Sequence, residues 1–256
     1  MGADLRRKVL GRLRPRPRAA PPAEPAEPSL VSAEDQAIID RARPFTMTSE
    51  ARLQAVIDAV RHCQRRGLPG AYAECGVWRG GSVMAMILTL QELGAERDIY
   101  LYDTFQGMTE PTEHDVSPVD RPALEDWKEA QAAGKRPYED VFGAEAFDEQ
   151  SVRRTLLDTG YPSERLHLVA GPVEQTIPGT SPGPMALLRL DTDWYESTRH
   201  ELTHLYPLLT TGGVLIIDDY GHWEGARKAV DEYFASHAEP LLLNRIDYTG
   251  RVAVKA

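Results

Sequence analysis

Acidic side chains follow two largely apolar runs in the second half of the chain. The run Val214–Ile217 leads directly into Asp218 and Asp219, and the run MALLRL leads into Asp191. A carboxylate that leaves water costs several kcal/mol unless a cation or hydrogen-bond donors pair with it. The three aspartates therefore predict a site that holds a positively charged partner, provided that the fold brings them together.

The segments around these aspartates alternate between predicted strands and predicted helices. The predicted strands are 71–76, 98–103, 166–171, 185–191, 214–219, 241–244 and 251–256, and the predicted helices are 46–67, 82–93, 148–159, 197–209 and 224–237. Apolar strands between helices are typical of a mainly parallel sheet covered on both faces. Only residues 245–250 separate the last two strands, which is too short for a parallel crossover. We therefore predict an α/β fold with a doubly wound, mostly parallel sheet, an antiparallel last strand and an N-terminal helical segment.

The three aspartates fall at the carboxyl ends of neighbouring predicted strands, where such sheets bind ligands. Adjacent strands lie about 4.8 Å apart, so we expect Asp191, after the fourth strand, to lie beside Asp218 and Asp219, after the fifth. All-oxygen ligands favour Mg²⁺ over zinc, with Mn²⁺ or Ca²⁺ as alternatives. Helix capping by Asp191 or Asp218 is the competing interpretation, which explains one carboxylate but not three. Asp193 is interpreted as a helix cap or as a residue behind the ligands.

The first predicted strand runs into a glycine-rich turn, E-C-G-V-W-R-G-G-S. Gly76 and Gly80 let the backbone turn tightly and approach a ligand, and the next helix presents its N-terminus there. The spacing differs from the G-x-G-x-x-G of dinucleotide enzymes. Together with Asp103, which ends the second strand, the pattern E-x-G-x-x-x-G fits S-adenosylmethionine. We expect helix N–H groups and Ser82 to hold its methionine carboxylate and Asp103 to accept both ribose hydroxyls, whereas a purely structural turn is the alternative.

Two further segments are expected to contact this cofactor. In the loop 171–176, Pro172 and Val173 are expected to pack on the adenine ring. Thr48 is expected to cover the methionine end, although helix capping explains Thr48 equally well.

Composition excludes several classes of function. The chain has 256 residues and a net charge of −10, which argues against nucleic acid as the main partner. No apolar run approaches the roughly 20 residues that span a bilayer. Cys63 and Cys75 give neither a disulfide framework nor a zinc spacing, so a cytoplasmic location is expected.

The ends of the chain and one internal stretch differ from the rest. Residues 1–29 are basic and rich in Pro and Ala, and we expect them to be a disordered tail. Residues 30–256 are expected to form a single domain. Within it, the stretch of about 108–145 is too long for an ordinary connection, which predicts a lid or binding segment.

Several motifs, in the same order along residues 45–256, resemble the macrocin O-methyltransferase (TylF/NovP-type) family. These motifs are PFTMTSEARL, ECGVWRGGSVMAM, LYDTFQGMTEPT, LLRLDTDWYEST and GGVLIIDDYGHWEGARKAVDEYF. The resemblance implies a Rossmann-like class I methyltransferase that depends on S-adenosylmethionine and Mg²⁺. It also implies a glycoside acceptor, a sugar hydroxyl of a natural product, and a homodimer.

The resemblance also implies roles for individual residues. Asp191, Asp218 and Asp219 are implied as the Mg²⁺ ligands, with Asp191 also taking the proton from the acceptor hydroxyl. The residues implied at the cofactor are Glu74, Gly76, Ser82 and Asp103. A mobile lid over residues of about 108–145 is implied as well.

Other functions stay open at this point. A metal-dependent catechol or phenol O-methyltransferase would share the carboxylates and the cofactor turn. A Rossmann oxidoreductase that binds NAD is a more distant alternative, and a non-catalytic binding protein is a third. His222, three residues after Asp219, is either an acceptor contact or a surface histidine.

Overall fold

The computed structural model describes residues 31–143, 148–237 and 241–256. The predicted tail 1–29 lies outside the described residues, as do residues 144–145 of the predicted lid. From Val31 onward the chain forms one compact unit.

A seven-stranded sheet runs through this unit. Its strands are β1 (Ala71–Cys75), β2 (Ile99–Asp103), β3 (Leu166–Ala170), β4 (Met185–Leu190), β5 (Leu209–Ile217), β6 (Asn244–Arg245) and β7 (Arg251–Val254). Their order across the sheet is β3-β2-β1-β4-β5-β7-β6. Strands β1 to β5 pair in parallel, whereas β7 pairs antiparallel with both β5 and β6. The predicted parallel sheet with an antiparallel end is confirmed.

Helices cover both faces of the sheet. They are α1 (Ala33–Ala42), α2 (Glu50–Arg65), α3 (Gly81–Glu92), α4 (Ala123–Ala132), α5 (Glu139–Phe142), α6 (Glu149–Leu157), α7 (Val173–Thr176), α8 (Tyr195–His204) and α9 (Glu224–Ser236). One apolar core lies under α1, α2 and α3, and a second lies under α8 and α9. In α2 the apolar residues recur at i, i+3, i+4 and i+7 and are fully buried, and each contributes about 1.5–3 kcal/mol.

Two predicted boundaries near the antiparallel end of the sheet are wrong. Strand β5 begins at Leu209, so the stretch 210–213 belongs to a strand and not to a connection. An irregularity in the register with β4 accommodates these extra residues. The predicted strand 241–244 contributes only Asn244 to β6, because Leu241 and Leu243 pack against the second core instead.

The predicted lid contains α4 and α5, and its first part is anchored to the body. The fully buried Asp115 accepts hydrogen bonds from the backbone N–H of Thr112 at 2.6 Å and of Tyr195, the first residue of α8, at 2.7 Å. The indole N–H of Trp194 donates to the carbonyl of Thr109 at 3.0 Å. These contacts hold the insertion beside the carboxyl edge of the sheet.

In the part of the chain that the structure describes, helices are too short or too polar to cross a membrane.

Candidate active site

A cavity of about 520 Å³ opens at the carboxyl edge of the sheet. This volume lies in the range of small-molecule sites, and the location is the one expected for parallel α/β sheets. Its walls come from four strand ends, from the segment before α2 and from the insertion. The residues that line the cavity include Thr48, Arg52, Glu74, Gly76, Trp78, Ser82, Asp103, Met108, Asp120, Tyr138, Val141, Asp191, Asp193, Trp194, Asp218, Asp219, His222 and Trp223.

The strand register brings the predicted aspartates together. Arg189 of β4 lies opposite Glu74 of β1 and Ile216 of β5. Because side chains alternate along a strand, Asp191 and Asp218 continue on the side that Arg189 and Ile216 face. One oxygen from each of Asp191, Asp218 and Asp219 lies within 4.8 Å of the other two.

Arg189 is the centre of this acidic cluster. Its side chain is fully buried, and its guanidinium contacts the carboxylates of Glu74 and Asp218. It also donates to Asp191 Oδ2 at 2.7 Å and to Thr48 Oγ1 at 3.0 Å. The positive partner expected from the sequence is therefore, in part, a side chain of the protein itself.

A second guanidinium reaches the cluster from the cavity wall. Arg52 of α2 contacts the other oxygen of Asp218 and donates through Nε to Asp247 Oδ2 at 3.0 Å. Both oxygens of Asp218 are therefore paired with arginine. In contrast, Asp219 Oδ2 and Glu74 Oε2 are buried and have no hydrogen-bond partner among the described residues.

Acidic groups outnumber basic groups at this edge of the sheet, and the pKa values of three of the carboxyl groups are raised. Burial raises the pKa of Glu74 to about 8, although Arg189 opposes the shift. Burial and the charge of Asp191 raise the pKa of Asp193 to about 7. The pKa of Asp219 is raised by burial and by the carboxylates of Asp193 and Asp191. The site is electrostatically suited to bind further positive charge.

The glycine-rich turn is built around Asp103. Asp103 Oδ2 accepts from the backbone N–H groups of Val77 at 2.7 Å and Trp78 at 3.0 Å, and Oδ1 accepts from Phe105 at 2.8 Å. A carboxylate offers about four acceptor positions. One acceptor position, on Oδ1, is therefore left for a ligand, and the expected contact with the ribose hydroxyls stays a prediction.

Gly76 is required where β1 meets this turn. Its φ is 83°, a conformation that L side chains rarely adopt, and a Cβ atom there would lie 1.9 Å from the carbonyl oxygen of Asp191. The absence of a side chain lets the ends of β1 and β4 approach, and this approach defines the floor of the cavity.

The other residues expected at the cofactor occupy different positions. Ser82 is buried at the start of α3 and lines the cavity, as does Thr48. Gly80 faces α6 instead, where a Cβ atom would lie 3.2 Å from Leu156. Val173 and Pro172 line a smaller cavity of about 60 Å³, which shares Asp103 with the large one.

His222 joins the body to the insertion. Its Nε2 lies 2.8 Å from Asp120 Oδ2, and both residues line the cavity. Next to them, the rings of Trp194 and Trp223 pack edge to face with centroids 5.0 Å apart. Aromatic side chains and residues of the insertion therefore contribute to the wall of the cavity.

Sequence reasoning missed both arginines. Arg189 interrupts an otherwise apolar buried strand, and a charged residue in such a position is almost never found without a partner. Its spacing of two residues from Asp191 places both on one side of β4, so this signal was available. Arg52 gave no comparable signal, because its contact with Asp218 spans 166 positions and depends on the packing of α2.

The fold and the site together define a class of protein, a Rossmann-like methyltransferase of class I. The chain belongs to the macrocin-O-methyltransferase (TylF) family, whose model matches residues 31–254. It is therefore an O-methyltransferase. The expectation drawn from the sequence motifs is confirmed at the level of family, fold and reaction type.

Relatives with named activities share about a third of their residues with this chain. The 8-demethyl-8-(2,3-dimethoxy-alpha-L-rhamnosyl)-tetracenomycin-C 4'-O-methyltransferase of Streptomyces olivaceus is 32% identical, over 80% of this chain and 73% of that protein. The demethyldecarbamoylnovobiocin O-methyltransferase of Streptomyces niveus is 31% identical, over 76% and 69%. The mycinamicin III 3''-O-methyltransferase of Micromonospora griseorubida is 32% identical, over 80% and 76%.

Solved structures show the same fold. The O-methyltransferase NovP is 30% identical, with a TM-score of 0.69 and coverage of 83% of this chain and 82% of that chain. The calicheamicin methyltransferase CalS11 is 19% identical, with a TM-score of 0.58 and coverage of 88% and 93%, and supports the fold alone.

The raised pKa of Glu74 predicts an unusual pH dependence of stability. Between the ordinary pKa of 4.5 and the folded value of about 8, the folded protein keeps a proton that the unfolded chain has released. The free energy of unfolding in a chelator should therefore fall as pH rises from about 5 to 8, by up to about 1.4 kcal/mol per pH unit from this group. Urea unfolding should show a shallower slope for Glu74→Gln.

The exposed Glu164 provides the control. Glu164→Gln should leave the slope of the wild-type protein unchanged. Equal slopes for the wild-type protein and Glu74→Gln would contradict the assignment of the retained proton to Glu74.

Proposed function

We propose that the chain uses S-adenosylmethionine and Mg²⁺ to methylate a sugar hydroxyl of a glycosylated natural product. The observation that carries this proposal is the cluster of three aspartate oxygens within 4.8 Å of one another, set in the wall of a cavity of about 520 Å³. The relatives support the acceptor class: the name of the tetracenomycin enzyme specifies a substrate with a rhamnosyl group, and the other two are named for novobiocin and mycinamicin precursors.

The cofactor fits the acidic side of the cavity. S-adenosylmethionine carries an ammonium group and a sulfonium, and the buried Oε2 of Glu74, which has no partner among the described residues, would accept from the ammonium once Glu74 releases its proton. Gly80, which precedes α3, has no side chain to cap the first N–H groups of this helix. Those groups and Ser82 are suited to the methionine carboxylate. Asp103 is left with one position for a ribose hydroxyl, and Val173 with Pro172 is the proposed contact for adenine.

The donor set fits Mg²⁺. Asp191, Asp218 and Asp219 supply only carboxylate oxygens, which are hard ligands, and Asp219 Oδ2 is buried without a partner among the described residues. When bound, Mg²⁺ would lower the pKa of the acceptor hydroxyl and orient it. The three aspartates would hold the ion, with Arg189 behind them limiting the repulsion between their charges.

Two carboxylates are candidates for taking the proton from the acceptor. The family resemblance points to Asp191. However, Asp191 Oδ2 already accepts a hydrogen bond from Arg189 at 2.7 Å, so this oxygen is occupied within the protein. Asp193 lines the same cavity, and burial together with the charge of Asp191 raises its pKa, so its carboxylate is suited to accept a proton. Asp193 is therefore the second candidate for this role.

Methyl transfer needs alignment of the acceptor oxygen with the methyl group and exclusion of water. The insertion is suited to both tasks, because Met108, Tyr138 and Val141 contribute apolar surface above the carboxylates. The contact between His222 and Asp120 would hold this part of the insertion near the cluster. A catechol acceptor would use the same machinery, so the acceptor class needs a direct test. The homodimer, the cytoplasmic location and the lack of a nucleic-acid partner remain predictions.

Asp219→Asn separates metal binding from folding. Asparagine keeps the shape of the side chain but has no carboxylate that neighbouring acids could repel, so the melting temperature in a chelator should stay equal to that of the wild-type protein or rise. Affinity for Mg²⁺ in the presence of S-adenosylhomocysteine should fall by roughly 100-fold or more. Loss of a direct metal ligand reduces affinity at least as much as loss of a residue that supports a ligand. Calorimetry measures the affinity, and the exposed Asp158→Asn is the matched control.

Methyl transfer by the same variants tests the reaction. Demethyldecarbamoylnovobiocin, mycinamicin III and catechol are the acceptors to compare. The wild-type protein and Asp158→Asn should methylate a glycoside and lose activity in excess chelator, and Asp219→Asn should be inactive. Full activity without metal, or transfer to catechol alone, would contradict the proposal.

Asp193→Asn distinguishes the two candidate bases. If Asp193 takes the proton, kcat should fall by about 10²–10⁴-fold and the acidic limb of the pH–rate profile should disappear. Affinity for Mg²⁺ should fall less than in Asp219→Asn, because Asp193 is not among the three proposed ligands. A variant that keeps its kcat and pH profile would leave Asp191 as the base.

A further inference from the structure

Arg52 occupies one of the two oxygens with which Asp218 could bind the proposed metal ion. Its guanidinium contacts Asp218 Oδ2, while Arg189 contacts Asp218 Oδ1. When arginine contacts both oxygens of a carboxylate, the negative charge of that carboxylate is already neutralised and attracts a divalent cation only weakly. A positive group in contact with a metal ligand also repels the metal directly. One of the two arginines must therefore yield when a cation binds at Asp218.

The surroundings of the two arginines differ. Arg189 is fully buried and holds four partners from three strand ends and the segment before α2. Its departure would leave several buried carboxylates without compensation. Arg52 lies at the cavity wall with 15% of its side chain exposed, and it comes from a helix rather than from the sheet. Arg52 is the arginine that can move.

A second acidic group is placed to receive Arg52. Asp247, in the turn between β6 and β7, accepts from Arg52 Nε at 3.0 Å and is 21% exposed. Its carboxylate also accepts from Ser49 Oγ at 2.6 Å and from the N–H of Gly250 at 2.7 Å, so its position is fixed. The guanidinium can leave Asp218 and stay paired with Asp247.

The stem of Arg52 packs against backbone, and its guanidinium contacts Ser49, Asp247 and Asp218. A Cβ atom on Gly250 would lie 2.9 Å from both Cγ and Cδ of Arg52, so the glycine backbone packs directly on the stem. Only the terminal guanidinium faces the cavity, between the carboxylates of Asp218 and Asp247. This geometry limits the change to a rotation of the side-chain end.

We propose that Arg52 is a displaceable internal counter-ion of the metal site. It neutralises Asp218 when that oxygen holds no metal, and it turns to Asp247 when a divalent cation takes the oxygen. This inference rests on the proposed metal site, and it adds a coupling between that site and the turn 246–250. Arg52 is a positioning residue in this account, since it acts through Asp218 and not on the acceptor.

Arg52→Gln tests the proposal by two measurements that do not require catalysis. Calorimetry with MgCl₂ and S-adenosylhomocysteine should give an affinity about tenfold higher than that of the wild-type protein, because a competing positive charge has been removed. The melting temperature in a chelator should fall by about 2–4 °C. Excess Mg²⁺ should restore most of this loss. Arg52→Lys keeps the charge and should bind Mg²⁺ with nearly the wild-type affinity.

Arg61 offers a matched control on the same helix. Its side chain is also 15% exposed and also joins two carboxylates, Asp35 and Glu92, but it lies away from the cavity. Arg61→Gln should lose equal stability with and without Mg²⁺ and keep the wild-type affinity for the ion.

The outcomes separate this inference from the proposed function. If the wild-type protein binds no Mg²⁺, the proposed metal site itself is wrong. If the wild-type protein binds Mg²⁺ and Arg52→Gln binds it equally well or more weakly, the metal site stands and the displacement of Arg52 is overturned. A loss of stability in Arg52→Gln that Mg²⁺ does not restore would also overturn it.

Discussion

The buried guanidinium of Arg189 is the interaction on which the acidic edge of the sheet depends. Strands β1, β4 and β5 all end in carboxylates, and the parallel register brings Glu74, Asp191 and Asp218 around this one side chain. A buried arginine and buried carboxylates are each costly alone, and removing one partner from such a group costs about 3–5 kcal/mol. The ion pairs of Arg189 therefore form only in the observed strand register, and they stabilise that register in turn. A shift of β4 by one residue would turn Arg189 to the opposite face.

Arg189 does not neutralise the whole cluster, and the charge that remains accounts for the binding properties of the site. The cavity wall includes the carboxyl groups of Glu74, Asp191, Asp193, Asp218 and Asp219, and the pKa values of Glu74, Asp193 and Asp219 are raised. A cavity in this state favours ligands that bring positive charge. The ammonium and sulfonium of S-adenosylmethionine and the charge of Mg²⁺ are such ligands. The excess of carboxyl groups therefore explains both the raised pKa values and the suitability of the site for the two proposed cationic ligands.

Much of this arrangement follows from local sequence, and the part that does not has a clear physical reason. The apolar periodicity of α2 and the continuous strands predicted the sheet, and the rule for parallel strand ends predicted that Asp191, Asp218 and Asp219 would meet. The starting point of β5 could not be predicted, because it depends on an irregular pairing with β4 and the C-terminal residues. The contacts of Arg52 with Asp218 and Asp247 join residues more than 160 positions apart, and no local pattern carries such information.

The central claim is that Asp191, Asp218 and Asp219 form a divalent-cation site whose charge is balanced by arginine. Anomalous diffraction from crystals grown with MnCl₂ and S-adenosylhomocysteine tests it most directly, because Mn²⁺ replaces Mg²⁺ at oxygen sites and is visible by its anomalous signal. The account predicts a single strong peak in contact with one oxygen from each of the three aspartates, with Arg52 turned away from Asp218. Density without a peak there, or a peak elsewhere in the cavity while Arg52 still contacts Asp218, would contradict it.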